Sequence, residues 1–388
     1  MNNNRFLTLI SLISLLMVVT NVYPQTFSIG HEQTSYYDAN RDRDIACDVY
    51  YPADADGDNT AVSDGSFPVL VFGHGFVIGT SAYEYIWTSM VPQGFVVVMP
   101  DTETSMSPSH QDFADDIRFL ADYFKTESAN NSNFNFYQKI THSVLMGHSM
   151  GGGSSCLAAV NNNSADLLIN FALNDTDPSA IDQADQISIP ALIFSGSHDC
   201  ISAPEENQIP LFCGLGSNDK TFISITGASH CQFADFSTTC SMGELTCSPS
   251  ASISREEQQQ TCIDYLSLFL DWKLNNNPDA ETAFIDSLNT STRITSDAGC
   301  TTTGFNSEKK TEKIKLYPNP SNENIFIENF SQKNGLYCIY NSLGSKLLEG
   351  EIYANNTINV DIEKLEKGIY LLQVIFSDKK VTKMLIVS

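Results

Sequence analysis

The sequence predicts an α/β fold, in which a mostly parallel sheet is flanked by helices, followed by a small C-terminal β-sandwich. Apolar runs of strand length alternate with helical patterns through most of the chain. These runs are continuously apolar, which is typical of parallel strands that are buried on both faces. From Ile314 the pattern changes to short alternating strands separated by turn residues, which is typical of a small sandwich.

The first part of the chain contains six apolar runs that we interpret as strands: Phe67–Phe72, Gly94–Met99, Ser143–Met146, Leu167–Leu173, Ala191–Phe194 and Thr221–Thr226. Apolar residues at helical spacing, or runs of small residues, predict the helices Ser81–Val91, Gln111–Lys125, a helix that ends at Val160, Arg255–Leu274 and a shorter one around Ala280–Leu288. Strands that alternate with helices predict a mostly parallel sheet covered on both faces.

The C-terminal part contains six predicted strands: Asn324–Glu328, Gly335–Tyr340, Glu351–Ile352, Asn359–Ile362, Gly368–Phe376 and Val381–Val387. The charge balance changes at the same place. Residues 26–307 carry 36 acidic and 9 basic side chains, whereas residues 308–388 carry 10 acidic and 11 basic ones. We therefore expect a catalytic module over 26–303, a linker over 304–312 and a separate module over 313–388.

The chain of 388 residues has a formal net charge of −25. A surface with this excess of carboxylates repels phosphate backbones, so we do not expect nucleic acid as a partner.

The N-terminus predicts export. Arg5 precedes the apolar run Phe6–Val19, which is short for a membrane span and is followed by polar residues. This pattern is typical of a secretory signal peptide, which we assign to residues 1–25. An uncleaved anchor is the alternative. No later stretch is long and apolar enough to suggest a membrane span after signal removal.

Ten cysteines all follow the predicted signal peptide, and six of them lie between residues 200 and 262. In an exported protein this pattern predicts disulfide bonds, although their pairing cannot be read from the sequence. The chain has no C-x-x-C pair and no histidine at ligand spacing, which disfavours a zinc site. Nine cysteines precede residue 308, so at least one there should be free, and we expect it to be Cys156.

The segment Gly147-His148-Ser149-Met150-Gly151 lies between an apolar strand and a helix rich in small residues. A G-x-S-x-G pattern in this context is typical of a nucleophilic serine on a sharp turn, where the glycines avoid clashes. The N-terminus of the following helix also favours negative charge beside the serine. A purely structural glycine-rich turn is the alternative.

A serine nucleophile needs a base, and the base needs an orienting acid. In this strand–serine–helix arrangement the acid and then the histidine follow the serine along the chain. We assign Asp199, just past a predicted strand, as the acid and His230, past the last strand, as the base; His198 is a loop neighbour. Two other residues remain alternatives for the acid, Asp175 and Asp177. The remaining histidines are expected to serve structure or packing: His31, His74, His110, His142 and His148.

The developing oxyanion needs two backbone N–H donors. We expect one from Met150, which follows the nucleophile, and one from Phe76 in the loop after the first buried strand. Phe76, Trp87 and Met150 are also expected to line the substrate site, with Tyr85 and Phe233 as further candidates. Ordinary core roles are the alternative for these aromatic residues. No metal or organic cofactor is required by this chemistry.

Four segments together resemble one branch of the α/β-hydrolases: GHGF, GHSMGGGSS, PALIFSGSHDCISAP and GASHC. This branch includes bacterial cutinases, poly(ethylene terephthalate) hydrolases and chlorophyllase-like esterases, and the resemblance covers roughly residues 30–275. It implies an α/β-hydrolase fold, carboxylic ester hydrolysis and the catalytic set Ser149, Asp199 and His230, with the amides of Phe76 and Met150. The best-known polyester hydrolases carry an aromatic residue before the nucleophile, where this chain has His148.

The C-terminal module resembles the sorting domain of proteins that the type IX (Por) secretion system of Bacteroidetes exports. The resemblance rests on Leu316-Tyr317-Pro318-Asn319-Pro320-Ser321 and Lys367-Gly368-Ile369-Tyr370. It implies that the secretion machinery is a partner and that the protein is secreted or held at the cell surface. A carbohydrate-binding or adhesive module is the alternative.

These observations predict a secreted serine esterase that forms an acyl-enzyme on small to bulky esters. Polyesters such as poly(ethylene terephthalate) are among the candidate substrates. A lipase, or an amidase or peptidase with the same triad, is the second interpretation. A non-catalytic binding protein on a hydrolase fold is the third. Only residues 174–189 separate two predicted strands at the usual place for a lid, so we expect an open groove without a cap domain.

Overall fold

The computed structural model describes residues 26–300, 314–331, 333–341, 344–376 and 380–388. The predicted signal peptide and the linker 304–312 lie outside the described residues. The proposed domain boundaries stay a prediction. None of the helices within the described ranges is both long enough and apolar enough to cross a membrane.

Ten strands form the sheet of the first part: β1 (Ser28–Asp38), β2 (Arg43–Ala53), β3 (Gly57–Asp58), β4 (Phe67–Gly73), β5 (Val96–Pro100), β6 (Ile140–His148), β7 (Leu167–Phe171), β8 (Ala191–Gly196), β9 (Lys220–Ile225) and β10 (Ile294–Thr295). Their order across the sheet is β10-β9-β8-β7-β6-β4-β5-β2-β1-β3. Strands β4 to β9 pair in parallel, as their continuously apolar sequences predict. The predicted α/β-hydrolase fold is therefore confirmed.

The structure adds an antiparallel hairpin at one edge of the sheet, which the sequence patterns did not predict. Strand β1 pairs with β2, and β2 pairs antiparallel with β5. Strand β1 carries mostly polar, partly exposed side chains, because it lies near the edge of the sheet and has little apolar surface to bury. An edge strand of this kind lacks the continuous apolar run that marks the central strands.

Seven α-helices accompany this sheet: α1 (Glu84–Met90), α2 (His110–Asn130), α3 (Met150–Ala159), α4 (Gln208–Gly214), α5 (Thr238–Glu244), α6 (Arg255–Asn275) and α7 (Pro278–Thr290). The predicted helix Ser81–Val91 is split, since 3₁₀ turns at Thr80–Tyr83 and Val91–Gln93 flank α1. The long helices begin at serine caps: Ser109 accepts from the Asp112 amide, and Ser254 accepts from the Glu257 amide.

Apolar side chains cover both faces of the ten-stranded sheet. On one face, α2 buries Phe113, Ile117, Leu120 and Phe124 completely against the strands. Each such side chain contributes about 1.5–3 kcal/mol by leaving water. On the other face, α6 buries Phe269 and its apolar neighbours. The rigid sheet between the two layers fixes the positions of the loops at its carboxyl edge.

Seven strands form the C-terminal part: β11 (Ile314–Tyr317), β12 (Asn324–Asn329), β13 (Gly335–Tyr340), β14 (Lys346–Ile352), β15 (Asn356–Asp361), β16 (Gly368–Ile375) and β17 (Lys380–Val387). They form one sheet in the order β11-β12-β15 and a second in the order β14-β13-β16-β17. Side chains from both sheets, among them Ile325, Ile327, Ile339 and Leu372, share one buried cluster. The predicted small β-sandwich is confirmed.

Three disulfide bonds join Cys200 to Cys247, Cys213 to Cys300, and Cys231 to Cys240. The prediction of disulfide bonds is confirmed, and Cys156 is free and buried as expected. The described residues contain three further free cysteines, which are also buried: Cys47, Cys262 and Cys338.

Candidate active site

Ser149 lies on the sharp turn between β6 and α3. Its φ of 56° is in the left-handed region, where side chains other than glycine are rare. The turn is possible because its neighbours have no side chain. A Cβ atom at Gly147 would overlap the backbone of Gly151, and one at Gly151 would overlap the carbonyl oxygen of Gly73. The serine hydroxyl is thereby presented at the carboxyl edge of the sheet.

The structure brings three of the predicted site residues into one hydrogen-bonded chain. The Oγ atom of Ser149 lies 2.9 Å from Nε2 of His230. The Nδ1 atom of the same ring lies 2.8 Å from Oδ2 of Asp199. His230 and Asp199 are almost completely buried, whereas Ser149 is partly exposed. This geometry allows a proton to pass from the serine hydroxyl to the imidazole while the carboxylate orients the ring.

The other oxygen of Asp199 is also fully engaged, because Oδ1 accepts from the amides of Ile201 and Ser202 at 2.9 and 2.8 Å. Of the alternative acids, Asp175 accepts instead from the Ser179 hydroxyl and from a backbone amide of its own loop. The ring of His198 bonds to the carbonyl oxygen of Ser250. These contacts distinguish Asp199 from the other acidic residues past the strands.

The loop that carries His230 is held by a residue that the sequence patterns did not single out. The side chain of Gln258, fully buried on α6, accepts from the Ser229 amide at 3.0 Å and donates to the Ser229 carbonyl at 2.9 Å. The acid and base loops are also bonded to each other, because the His198 amide donates to the Ala228 carbonyl. The sequence signal that could have indicated Gln258 is that it is a polar residue on the buried face of the predicted helix.

Helix α5 is attached to both catalytic loops. Cys200 directly follows Asp199 and bonds to Cys247, just past the end of α5. Cys231 directly follows His230 and bonds to Cys240 within α5. Through these bonds the helix places Glu244 beside the base, where Oε1 accepts from the Cys231 amide at 2.7 Å. Glu244 was not predicted, since nothing in its local sequence indicates this position.

The charge around His230 favours its protonated form. Burial by itself would lower the pKa of this imidazole. The Asp199 carboxylate, which is bonded to Nδ1, and then the Glu244 carboxylate outweigh burial and raise the pKa above its ordinary value. The neighbouring ring of His148 is neutral, because burial and the proximity of His230 hold the pKa of His148 well below its ordinary value. The base is therefore surrounded by groups that stabilise an imidazolium.

The loop after β4 lies next to the serine, because Gly73 at the end of β4 is paired with Gly147 at the end of β6. The ring of His74 bridges the carbonyl oxygens of Gly75 and Thr102, at 2.9 and 2.8 Å. Beyond Phe76, Val77 has a φ of 53°, a conformation that is rare for a β-branched residue. The loop is thus held in a specific, strained shape at the edge of the sheet.

Met150 is the first residue of α3, where backbone N–H groups have no acceptor within the helix. Its side chain is buried, and that of Phe76 is half-buried against the core on the α2 face. The Met150 amide lies in the helix that follows Ser149, and the Phe76 amide lies in the loop that starts beside Gly147.

The described ring contacts of Trp87 do not include a triad residue, so its place in the substrate site stays a prediction. Its ring stacks in parallel on Tyr50, with centroids 4.2 Å apart, and is buried in the core beneath α1. Phe233 is completely buried and packs near His148 and Phe171. The hydroxyl of Tyr85 donates to the Phe233 carbonyl. These aromatic residues form the core behind the catalytic loops.

Within the described ranges, no group of three or more His, Cys, Asp or Glu side chains is arranged to hold a metal ion.

The fold is that of an α/β-hydrolase, and its site holds a serine, a histidine and an aspartate in one hydrogen-bonded chain. Residues 42–249, more than half of the chain, match the family described as PET hydrolase-like. The chain belongs to this family.

One curated relative also matches part of the chain. The chain is 27% identical over 183 residues to a bis(hydroxyethyl) terephthalate hydrolase from Streptomyces coelicolor. The match covers 47% of this chain and 54% of that protein, so the chain spans about half the length of this relative.

Residues 315–388 match a secretion system C-terminal sorting domain. This match agrees with the resemblance of the C-terminal module to the sorting domains of the type IX system. It indicates export of the protein, to a secreted or cell-surface location.

Proposed function

We propose that this protein is a serine carboxylic ester hydrolase that acts through an acyl-enzyme on terephthalate esters and related small to bulky esters. The observation that carries the proposal is the hydrogen-bonded chain from Ser149 through His230 to Asp199, with separations of 2.9 and 2.8 Å. Family membership and the terephthalate ester hydrolase among its relatives support the substrate class.

In the proposed mechanism, Nε2 of His230 takes the proton from Ser149 as Oγ attacks the ester carbonyl carbon. The amides of Met150 and Phe76 donate hydrogen bonds to the resulting oxyanion. The imidazolium then gives its proton to the leaving alcohol, which leaves the acyl group on Oγ. Water, deprotonated by His230, attacks this acyl-enzyme and releases the acid and the free serine. Throughout, Asp199 holds the imidazole in the required tautomer.

An open site supports the choice of bulky esters over a lipase that needs an interface. The described residues 174–189 contain one 3₁₀ helix, Ile181–Gln186, and no additional domain that could cover the serine. Ser149 is accordingly partly exposed. A site without a lid admits large substrates and requires no opening step at a lipid surface.

The test is hydrolysis of a substrate series by the purified chain and by Ser149→Ala. We expect Ser149-dependent turnover of p-nitrophenyl butyrate below its solubility limit and of bis(hydroxyethyl) terephthalate, with slower release of terephthalate products from a polyester film. Chromatography of the products measures each rate. A rate that stays near zero until the substrate forms an interface would contradict the open site, and no turnover of any ester would contradict the proposed function.

The pKa of His230 predicts the acidic limb of the pH profile. Below this pKa the imidazole is protonated and cannot take the proton of Ser149, so kcat/KM should fall with decreasing pH. Because Glu244 contributes to raising the pKa of His230, Glu244→Gln should move this limb to lower pH. The glutamine retains an oxygen that can accept from the Cys231 amide, so the change concerns charge more than structure.

The matched control is Glu281→Gln on α7, which removes the same charge from a helix that packs against α6. Profiles of kcat/KM against pH, measured at constant ionic strength, should superpose for this variant and the unaltered chain. If Glu244→Gln gave the same limb as Glu281→Gln, Glu244 would have no part in setting the basicity of His230.

We propose further that the C-terminal module serves export and is dispensable for catalysis. It has a buried cluster of its own, which includes Ile325, Ile339 and Leu385. A chain that ends near residue 304 should therefore retain ester hydrolysis within about twofold, as measured by kcat/KM after purification. In a host with the type IX system, the same truncation should keep the protein from the surface and medium, as measured by immunoblotting of cell fractions. Normal export of the truncated chain would contradict the sorting role.

A further inference from the structure

A buried chain of hydrogen bonds that the proposed mechanism does not use joins two of the catalytic loops. The Gly75 amide donates to the hydroxyl oxygen of Tyr83 at 2.8 Å. The same hydroxyl lies 3.0 Å from Nδ1 of His148, and Nε2 of His148 lies 3.2 Å from the carbonyl oxygen of His230. One end of this chain is the amide of Gly75, the residue before Phe76. The other end is the backbone carbonyl of His230, the proposed base.

The two ends of the chain, together with the neutral form of the buried His148 ring, determine where every proton lies. The Gly75 amide can only donate, and the His230 carbonyl can only accept. Nε2 of His148 must therefore carry a hydrogen and donate it to that carbonyl. The neutral ring then has an acceptor at Nδ1, so the hydroxyl of Tyr83 accepts from Gly75 and donates to His148. Every donor and acceptor in this buried network has a partner, which is the condition for a rigid polar network.

Packing leaves these groups little freedom. Tyr83 and His148 are completely buried. A Cβ atom at Gly75 would lie 3.1 Å from the hydroxyl of Tyr83 and 3.3 Å from Nδ1 of His148, so the loop backbone is in close contact with both. The ring of Tyr83 packs against Phe72, at 4.7 Å between centroids. Neither polar side chain is exposed to solvent, so their effect on catalysis acts through the loops they join and through the His148 ring, whose centroid lies 4.8 Å from that of His230.

We propose that Tyr83 and His148 are positioning residues that fix the oxyanion loop, which is the segment after β4 that contains Gly75 and Phe76, relative to the catalytic base His230. The inference rests on the proposed serine mechanism, which requires the Phe76 amide and His230 to be placed correctly around one ester carbonyl. A displacement of about 1 Å in such a site can reduce the rate about 100-fold. A hydrogen-bonded bridge between the two loops limits this displacement, because it constrains both the distance and the direction between them.

The first experiment compares Tyr83→Phe with Tyr265→Phe, using p-nitrophenyl butyrate. Tyr265 is also buried, and its hydroxyl donates to the Ser287 carbonyl between α6 and α7. Both variants lose one buried hydroxyl, so both should show a modest loss of thermal stability. We expect Tyr83→Phe to lower kcat about 10- to 100-fold with KM nearly unchanged. Tyr265→Phe should leave both constants unchanged.

The second experiment tests the bridge at His148. The glutamine amide offers an acceptor oxygen and a donor NH₂ group, so His148→Gln should retain most of kcat, whereas His148→Leu should lose about as much as Tyr83→Phe. Combining Tyr83→Phe with His148→Leu should cost little more than either change alone, because both interrupt the same chain. If His148→Leu folds poorly, His148→Gln still tests the bridge, because it retains the polar contacts.

The outcomes separate this inference from the proposed function. If the unaltered chain shows no Ser149-dependent ester turnover, the proposed function is wrong. If the unaltered chain is active and Tyr83→Phe changes kcat no more than Tyr265→Phe does, the positioning role is wrong. Equal losses for His148→Gln and His148→Leu would also overturn it, because the loss would then reflect shape and not hydrogen bonding.

Discussion

Ser149→Ala should lower ester turnover by about four to six orders of magnitude while the fold survives. Removing the nucleophile abolishes the covalent route and leaves only binding and oxyanion stabilisation. The serine is partly exposed at a turn, so loss of its hydroxyl removes little packing. Turnover of p-nitrophenyl butyrate measures the effect, and circular dichroism with thermal unfolding verifies the fold. Covalent labelling by a fluorophosphonate should disappear in the same variant.

His230→Ala should cause a loss similar to that of Ser149→Ala, and Asp199→Asn should cost about 10⁴-fold, because the imidazole then loses its correct tautomer. Combining the changes should add little, since the three residues act as a unit. Asp175→Asn is the matched control, because Asp175 bonds within its own loop. Near-normal rates for Asp199→Asn beside a severe loss for Asp175→Asn would contradict the assignment of the acid.

Asp116→Ala should lower the free energy of unfolding by about 3–5 kcal/mol, the usual cost of removing one partner of a buried ion pair. The carboxylate of Asp116 on α2 is completely buried and accepts from Arg41 at 2.7 Å and from Arg43 at 2.8 Å. It also accepts from the Thr102 hydroxyl at 2.6 Å. Without it, two partly buried guanidinium groups each lose one carboxylate partner, and only Asp38 remains for Arg41 and Glu103 for Arg43. Urea-induced unfolding followed by tryptophan fluorescence measures the change.

The matched control for Asp116→Ala is Asp115→Ala, one residue earlier on α2. Asp115 is partly exposed, and its described hydrogen bond is to the Gln111 side chain. The two variants share the same loss of charge and the same gain in helix propensity. Asp115→Ala should therefore change stability by less than about 0.5 kcal/mol, the usual range for a surface substitution. Equal effects of the two substitutions would show that the buried network contributes nothing specific.

The same network reaches the loop after β4, which carries Phe76. Thr102 bonds to Asp116 through its hydroxyl and to His74 through its carbonyl, and His74 in turn contacts the Gly75 carbonyl. The loop is thus supported from the α2 side by charged groups and from the α1 side by Tyr83. Polar networks on both sides explain how a short loop can hold a residue such as Val77 at a positive φ.

The central fold could be predicted from the sequence because its signals are local. Continuously apolar runs marked β4 to β9, and helical spacing marked α2 and α6, since strands and helices of this kind bury whole faces. The edge hairpin of β1 and β2 was not predicted, because β1 is mostly polar and half-exposed, and because Asp44 and Asp48 interrupt the apolar residues of β2. Helix α5 was missed for a different reason: two disulfide bonds hold it in place, and their pairing is invisible in the sequence.

The sequence by itself determined the class of chemistry, because a strained turn around Ser149 requires its flanking glycines and because acid and base must follow it past successive parallel strands. Tertiary structure alone decided which aromatic and polar residues serve the site. The stacking of the Trp87 ring on Tyr50, for example, joins α1 to β2 and could not be read from either segment alone. His148, Gln258 and Glu244 reach the catalytic loops only through contacts between residues 13 or more positions apart, and such contacts leave no local pattern.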